Sequence, residues 1–389
     1  MSVSISQRVS QIPKSAIHEM TRLSRELEDV AFLSWAKPTS GTPAHINEAA
    51  TRAIRDGKTG GYSEPAGLPE LRERIAEKLN TFNHIPASAE EIIVTVGAIE
   101  GLSASVMAVI DPGDEVIIPV PGYSTHIRQV VLASGRPVCV PTIEPDGFKL
   151  DIDRIRDAVT DRTKAILYCD PNNPTGSVYS KDELEAIAEL ARRHNLVVIT
   201  DEAYEYFTFD GHKHLSIASL PGMKERTISA FTFTKTYAMT GWRIGYVHAA
   251  KELIPQVKKA HIPFAICAPV VSQYAAIAAL AGPQACVDEF RAHYKETRDL
   301  MCKRLDGLDA VFDYQKPKGS YLMFPRIKLT EGSDSFAFAK DLLQAARVST
   351  TPGIAFRGES HLRMSFCVPS DMVAKAFDRM ETFFQTRTS

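Results

Sequence analysis

Apolar positions between residues 15 and 27 recur at helical spacing, which predicts a first helix there, and a short extended piece follows over 30–33. The Pro-, Gly- and Thr-rich stretch 37–43 then marks a crossing between structural units. From about 46 to 282 the pattern alternates. Short apolar runs at 92–96, 116–119, 138–140, 165–169, 196–200, 228–233 and 244–248 read as strands. Amphipathic stretches such as 151–159 and 181–194 read as helices between them. Short buried strands alternating with helices predict an α/β fold, a mostly parallel sheet flanked by helices. In such a sheet, ligand chemistry gathers at the carboxyl ends of the strands. Beyond 282 come a long helix (284–305), two strand-like pieces (321–324 and 362–366) and a closing helix from Ser370. The expected division is a large domain over 46–282 and a smaller α+β domain built from an N-terminal arm (1–45) and the C-terminal part (283–389).

Composition narrows the function classes. The 389 residues are 44% hydrophobic and 24% charged, ordinary for a globular enzyme with a sizeable core. A net charge of −2, with basic residues spread along the chain, gives no footprint for nucleic acid or an anionic membrane. No apolar run reaches the roughly 18 residues of a membrane span. The six cysteines are dispersed without a Cys-x-x-Cys pair, so neither disulfides nor a metal site is expected, and reduced thiols in a cytoplasmic protein are. Residues 1–18 lack Asp and Glu but carry only Arg8 and Lys14 and no apolar core, which reads as an ordinary arm rather than a targeting peptide.

The candidate chemistry centres on Phe231-Thr-Phe-Thr-Lys-Thr-Tyr-Ala-Met-Thr-Gly-Trp-Arg-Ile-Gly245. Lys235 follows an apolar strand, where desolvation can lower an amine's pKa and prepare it for Schiff-base chemistry. The Thr232 hydroxyl and the Arg243 guanidinium are donors that clamp a phosphate. Amine and phosphate clamp together are what pyridoxal 5'-phosphate (PLP) requires. The segment resembles the cofactor-lysine motif of the aspartate aminotransferase-like, fold-type I PLP enzymes, and the resemblance runs from about Arg8 to the C-terminal helix.

Other residues fit the same chemistry. In Pro171-Asn-Asn-Pro-Thr-Gly176, a turn by composition, the resemblance selects Asn173 as the residue touching the cofactor's phenolic oxygen and the substrate. Asp201 ends an apolar strand; it could cap a helix, or it could hold a pyridine nitrogen protonated and so make the ring an electron sink. Asp201 and Tyr204 match the family's Asp-x-x-Tyr element, with Tyr204 sharing the phenolic oxygen, while Glu202 reads as structural. Val96-Gly-Ala-Ile-Glu-Gly101 opens a helix whose free N–H groups suit a phosphate, and the resemblance sets Ala98 and Ile99 against it. Some relatives using acidic substrates carry a basic residue near Ile99, so the apolar side chain here argues against acidic selection by that route. By resemblance, Tyr123 stacks on the cofactor ring. Tyr62 crosses a homodimer interface to the neighbour's phosphate, and Arg363 grips the substrate α-carboxylate with its planar fork. Ala36-Lys37-Pro38 stands where the family often has Gly-Glu-Pro, so Ala36 still faces the substrate but its methyl group and Trp35 reshape the pocket.

The resemblance implies a cytoplasmic, homodimeric aminotransferase that moves an amino group from an L-amino acid to a 2-oxo acid, through a Lys235 Schiff base and pyridoxamine phosphate. The same framework serves PLP-dependent lyases, cyclases and oxidases, which remain the alternative. A non-catalytic PLP-binding regulator would carry an added basic DNA-binding domain, for which no segment is expected before Arg8 or after Arg387. A dehydrogenase would need Gly-x-Gly-x-x-Gly after its first strand, which is absent.

Overall fold

The computed structural model describes residues 4–328 and 334–388. Residues 1–3 of the expected arm, and 329–333 and 389 of the expected C-terminal domain, lie outside the described residues.

Seven strands form one sheet in the order Ile92–Thr95, Gly245–Ala249, Thr227–Thr232, Val197–Asp201, Thr163–Cys169, Glu115–Val120, Arg136–Pro141. Gly245–Ala249 runs antiparallel to both neighbours and the remaining pairings are parallel. Every residue of the five strands Ile92–Thr95, Glu115–Val120, Thr227–Thr232, Gly245–Ala249 and, from Ala165 on, Thr163–Cys169 is buried. Burial on both faces explains why these runs are continuously apolar rather than alternating.

Helices cover the sheet because their sequences start and stop them cleanly. Lys181–Arg193 begins in a capping box in which Ser180 accepts from the Glu183 N–H and the Glu183 carboxylate accepts from the Ser180 N–H. It then buries Leu184, Ile187, Ala188 and Ala191 against Ile166, Tyr168 and Val198 of the sheet. On the other face Gly97–Val109 and Ile254–Ala265 pack against Val116, Leu167, Ile199 and Val247. The helix expected over 151–159 is shorter, Ile152–Asp157, since the chain turns at Thr160, whose N–H donates to the Thr163 hydroxyl.

The N-terminal segment crosses to the C-terminal elements. Ala31–Phe32 pairs in parallel with Val348–Ser349, and Met20, Leu33 and Ala31 share a core with Leu342, Leu362, Met364 and Phe377. That core continues into Cys169, Tyr204 and Phe207 at the carboxyl end of the large sheet. A cavity is left between the strand ends and the crossing segment.

Candidate active site

The apolar strand expected over 228–233 ends at Thr232, and Phe233–Thr236 forms a single helical turn. The Thr232 hydroxyl caps that turn by accepting from the Thr234 N–H at 3.1 Å. Lys235 therefore rises from a capped turn rather than a strand, and its Nζ donates to the Ala36 carbonyl at 2.7 Å. The Tyr321 hydroxyl donates to the same carbonyl at 3.1 Å. The rings of Tyr204 and Tyr321 stand edge-to-face, with the Lys235 Nζ 5.7 and 5.6 Å from their centroids. Burial, with the nearby Arg363 and Arg243 charges adding to it, pulls the Lys235 pKa down to about 8.

Asp201 closes its strand at the base of the cavity and caps no helix; its Oδ2 lies 3.2 Å from His126 Nε2, and its buried Oδ1 has no partner among the described residues. An orphaned carboxylate oxygen facing a cavity is the acceptor that a protonated ring nitrogen needs.

Arg363 is 3% exposed. It donates through Nη2 to the Ser34 carbonyl (3.0 Å) and the Thr351 hydroxyl (3.3 Å), and through Nη1 to Asn173 Oδ1 (3.2 Å). A guanidinium so held is presented as a rigid fork. At the opposite end, Arg243 has a left-handed φ of 51° and its Nη1 donates to the Thr240 carbonyl. A Cβ on Gly97 would sit 2.5 Å from Arg243 Nη2, so glycine is what lets the guanidinium lie against the first turn of Gly97–Val109. Helix N–H groups and Arg243, with the Thr232 hydroxyl, which here donates to the Ile244 carbonyl at 3.3 Å, are the groups that could hold a phosphate.

The cavity these groups surround has a volume of ≈ 480 Å³. It brings together Lys235, Asp201, Tyr204, Ala98, Ile99 and Tyr123 with Asn173, Thr232, Arg243, Arg363 and Ala36. Tyr62 stands apart, outside the cavity and 81% exposed. The residues present therefore fit a phosphorylated pyridine aldehyde, by the orphaned Oδ1 at one point and the phosphate-holding groups at another.

The family description of aminotransferase class I and II matches residues 29–380. The chain belongs to this family. It is a PLP-dependent aminotransferase. An aspartate aminotransferase from Pyrococcus abyssi is 42% identical over 97% of this chain and 98% of its own length. An aromatic-amino-acid aminotransferase from Thermococcus litoralis is 39% identical, over 97% and 98% respectively. The solved structure of Thermus thermophilus aspartate aminotransferase with maleate superposes with a TM-score of 0.93 at 35% identity, covering 97% of this chain and 99% of that one.

In this aminotransferase several groups at the site had no counterpart in the sequence reading. His126 lies on Ser124–Leu132 and its ring packs edge-on to Tyr123, with centroids 5.5 Å apart. Ser34 and Tyr321 act through the crossing segment, and Ile17 and Arg25 line the cavity. The Asp-x-x-Tyr and Pro-Gly-Tyr motifs and the Ala36-Lys37-Pro38 stretch each adjoin one of these groups in space.

The lowered Lys235 pKa sets a pH dependence for enzyme stripped of cofactor. Between about pH 8 and the ordinary lysine value of 10.5, the unfolded chain holds a proton on Lys235 that the folded chain has released. Stability should therefore rise with pH through that window, and the rise should vanish in Lys235→Met. Amine-selective labelling of Lys235 should likewise accelerate through about pH 8; mass-spectrometric labelling rates and denaturant midpoints check both.

Proposed function

We propose that this enzyme transfers the amino group of an L-amino acid to a 2-oxo acid at Lys235, as a homodimer in the cytoplasm, with the large PLP-binding domain over 46–282 and the small domain from 1–45 and 283–389. One observation carries the reading: the Lys235 amine, the orphaned Asp201 Oδ1 and the buried Arg363 fork converge on one cavity. Bound PLP supplies the electron sink for charge left on the substrate Cα. Arg363 binds the α-carboxylate and Asn173, tied to it, orients beside it. Lys235, about half neutral near pH 8, would take the Cα proton as general base. Asp201 keeps the ring nitrogen protonated, with His126 fixing its other oxygen. Tyr204 and Asn173 would hold the phenolic oxygen, Tyr123 would cover the ring, and Thr232, Arg243, Ala98 and Ile99 would anchor the phosphate, so binding energy would be gathered away from the breaking bond.

Ile17, Trp35 and Ile99 give the substrate side of the cavity apolar walls, which supports a donor with an apolar or aromatic side chain. A donor with a side-chain carboxylate is the second reading, because Arg25 and Lys37 line the same cavity. Single amino acids added anaerobically without a keto acid test both. Loss of the cofactor's absorbance band with one equivalent of 2-oxo acid supports amino transfer and names the donor. Ammonia or an altered carbon skeleton would turn the reading to a lyase.

The exposure of Tyr62 outside the cavity supports its reaching a partner subunit's phosphate. Tyr62→Phe should then weaken cofactor binding about tenfold, the worth of one hydrogen bond to a charged group. Dialysis equilibria alongside light scattering check this, and unchanged affinity would remove Tyr62 from the site. The six free cysteines support a reducing compartment. No single helix among the described residues is long and apolar enough to cross a membrane.

A further inference from the structure

Behind the cavity floor lies a buried charge cluster that the chemistry above does not use. His214 faces a carboxylate with each ring nitrogen: Nδ1 is 3.2 Å from Asp170 Oδ2 and Nε2 is 2.8 Å from Glu202 Oε2. All three side chains are less than a twentieth exposed. A neutral imidazole has one N–H and one lone pair, so between two ionised carboxylates it would set its lone pair against one of them; only the imidazolium donates to both.

Each carboxylate adjoins a site element. Asp170 follows the Thr163–Cys169 strand and leads into the loop carrying Asn173; its Oδ1 accepts from the Tyr179 N–H, and its own N–H donates to the Asp201 carbonyl at 3.1 Å. Glu202 follows Asp201 directly, and its Oε1 accepts from the Thr200 and Ser216 hydroxyls at 2.7 and 2.8 Å. Three carboxylates, Asp170, Asp201 and Glu202, are thus buried at adjoining strand ends, an arrangement that is unfavourable without counter-charge.

The surrounding charges are spoken for. Glu205, whose carboxylate also comes within 4.8 Å of the Glu202 and His214 ligand atoms, is held by Lys78 Nζ at 2.5 and 2.6 Å and by Asn83. Those three side chains could geometrically surround a cation, but both His214 nitrogens already face carboxylates and Lys78 already pairs with Glu205. Tyr168 and Tyr179 flank Asp170, and burial keeps both phenols neutral. His126 serves Asp201 on the cavity side.

We propose that His214 is a fixed imidazolium and a positioning residue: it ties the Asn173 loop to the Asp201 strand end and supplies the positive charge that lets Asp170 and Glu202 lie buried beside Asp201. The inference rests on the reading of Asp201 and Asn173 as cofactor contacts. Burial opposes the charge on His214, yet its two carboxylates carry its pKa up to about 10. Burial pushes Asp170 up, whereas for Glu202 the bonds from His214, Thr200 and Ser216 outweigh burial and hold it low. The two carboxylates thus differ, and the shorter Glu202 contact is the principal ion pair.

His214→Gln keeps hydrogen-bond donors but removes the charge. In that variant, cofactor affinity of the full-length enzyme should fall about tenfold, the equivalent of one pKa unit of lost interaction. The loss should deepen as pH rises, because Asp170 and Glu202 then both ionise without a counter-charge and push the strand ends apart. Asp170→Asn combined with His214→Gln removes a negative charge with the positive one and should recover most of the affinity and abolish the pH dependence. A structural hole would show neither behaviour. Affinity in His214→Gln that matches wild type at every pH, or a double variant no better than the single, overturns the proposal. Asp201→Asn, measured alongside, separates the two ideas: a loss there with none in His214→Gln overturns the clamp alone, and no loss in either overturns the Asp201 role as well. Should His214→Gln fail to fold, ¹⁵N NMR of the native enzyme decides: His214 protonated on both nitrogens through pH 9 supports the clamp, and deprotonation near the ordinary histidine range overturns it.

Discussion

Lys235→Ala is expected to lower kcat/KM by at least about 10⁴-fold, the upper end of what a positioned general base contributes, because it also removes the nucleophile that receives and releases the substrate amine. Of the other groups lining the cavity, Tyr204 is buried so that its phenol holds its proton well above the ordinary range, Arg243 and Arg363 carry guanidinium groups that do not act as bases, and the second amine, Lys37, has its Nζ 4.4 Å from the Trp35 ring centroid rather than at the Ala36 carbonyl. Lys235→Arg should be as inactive, since it restores charge without basicity, and this separates the chemistry from loss of the bond to the Ala36 carbonyl. Single-turnover measurement of 2-oxo acid release is the test. Activity within tenfold of the native enzyme would mean that another group takes the proton.

The second large effect is expected at Arg363. Truncation to alanine removes a buried charge and leaves Asn173 Oδ1 without its donor, while the Ser34 carbonyl keeps the bond from the Thr351 hydroxyl. Removing one member of a buried charge pair with substrate costs about 2–5 kcal/mol, so kcat/KM for amino acids should fall roughly 30- to 4,000-fold. Arg363→Lys should recover little, because an ammonium cannot form the two parallel bonds of the fork. The control is a primary amine lacking a carboxylate, on which wild type and variant should differ by less than threefold. An equal loss on that amine would assign Arg363 to the architecture of the cavity rather than to the carboxylate.

Much of this site is visible in the chain because it sits where apolar runs stop. Asp201 is the last residue of its strand, while Asn173 and Lys235 lie a few residues beyond theirs. Burial on both faces makes such runs continuous, so their ends are sharp even in a single sequence. Direction is another matter: nothing in the run at 244–248 indicates that Gly245–Ala249 is the antiparallel member of the sheet. Ala31–Phe32 and Val348–Ser349 are two residues each, too short for any periodicity to reveal their pairing. His126 was hidden for a different reason. It sits within an amphipathic helix, and its partner lies 75 positions further on, so only the packing of helix on sheet brings them together. The same holds for His214, one of two histidines in a polar loop, whose meaning comes from two acids just beyond the ends of separate strands.

The crossing of the N-terminal segment has a consequence for how the enzyme is made. Ser34 and Ala36 leave the ribosome early, but the guanidinium held by the Ser34 carbonyl belongs to a residue 329 positions later. At the usual 5–20 residues per second, that interval is roughly 15–65 s of synthesis. The lysine that meets the Ala36 carbonyl comes 199 positions after it, well before the arginine. During translation, a chain able to present its amine would still lack the guanidinium proposed to bind the substrate carboxylate. On that proposal, substrate recognition is the last function to be switched on, and a product ending before Arg363 would present the Lys235 amine without the group that selects its partner.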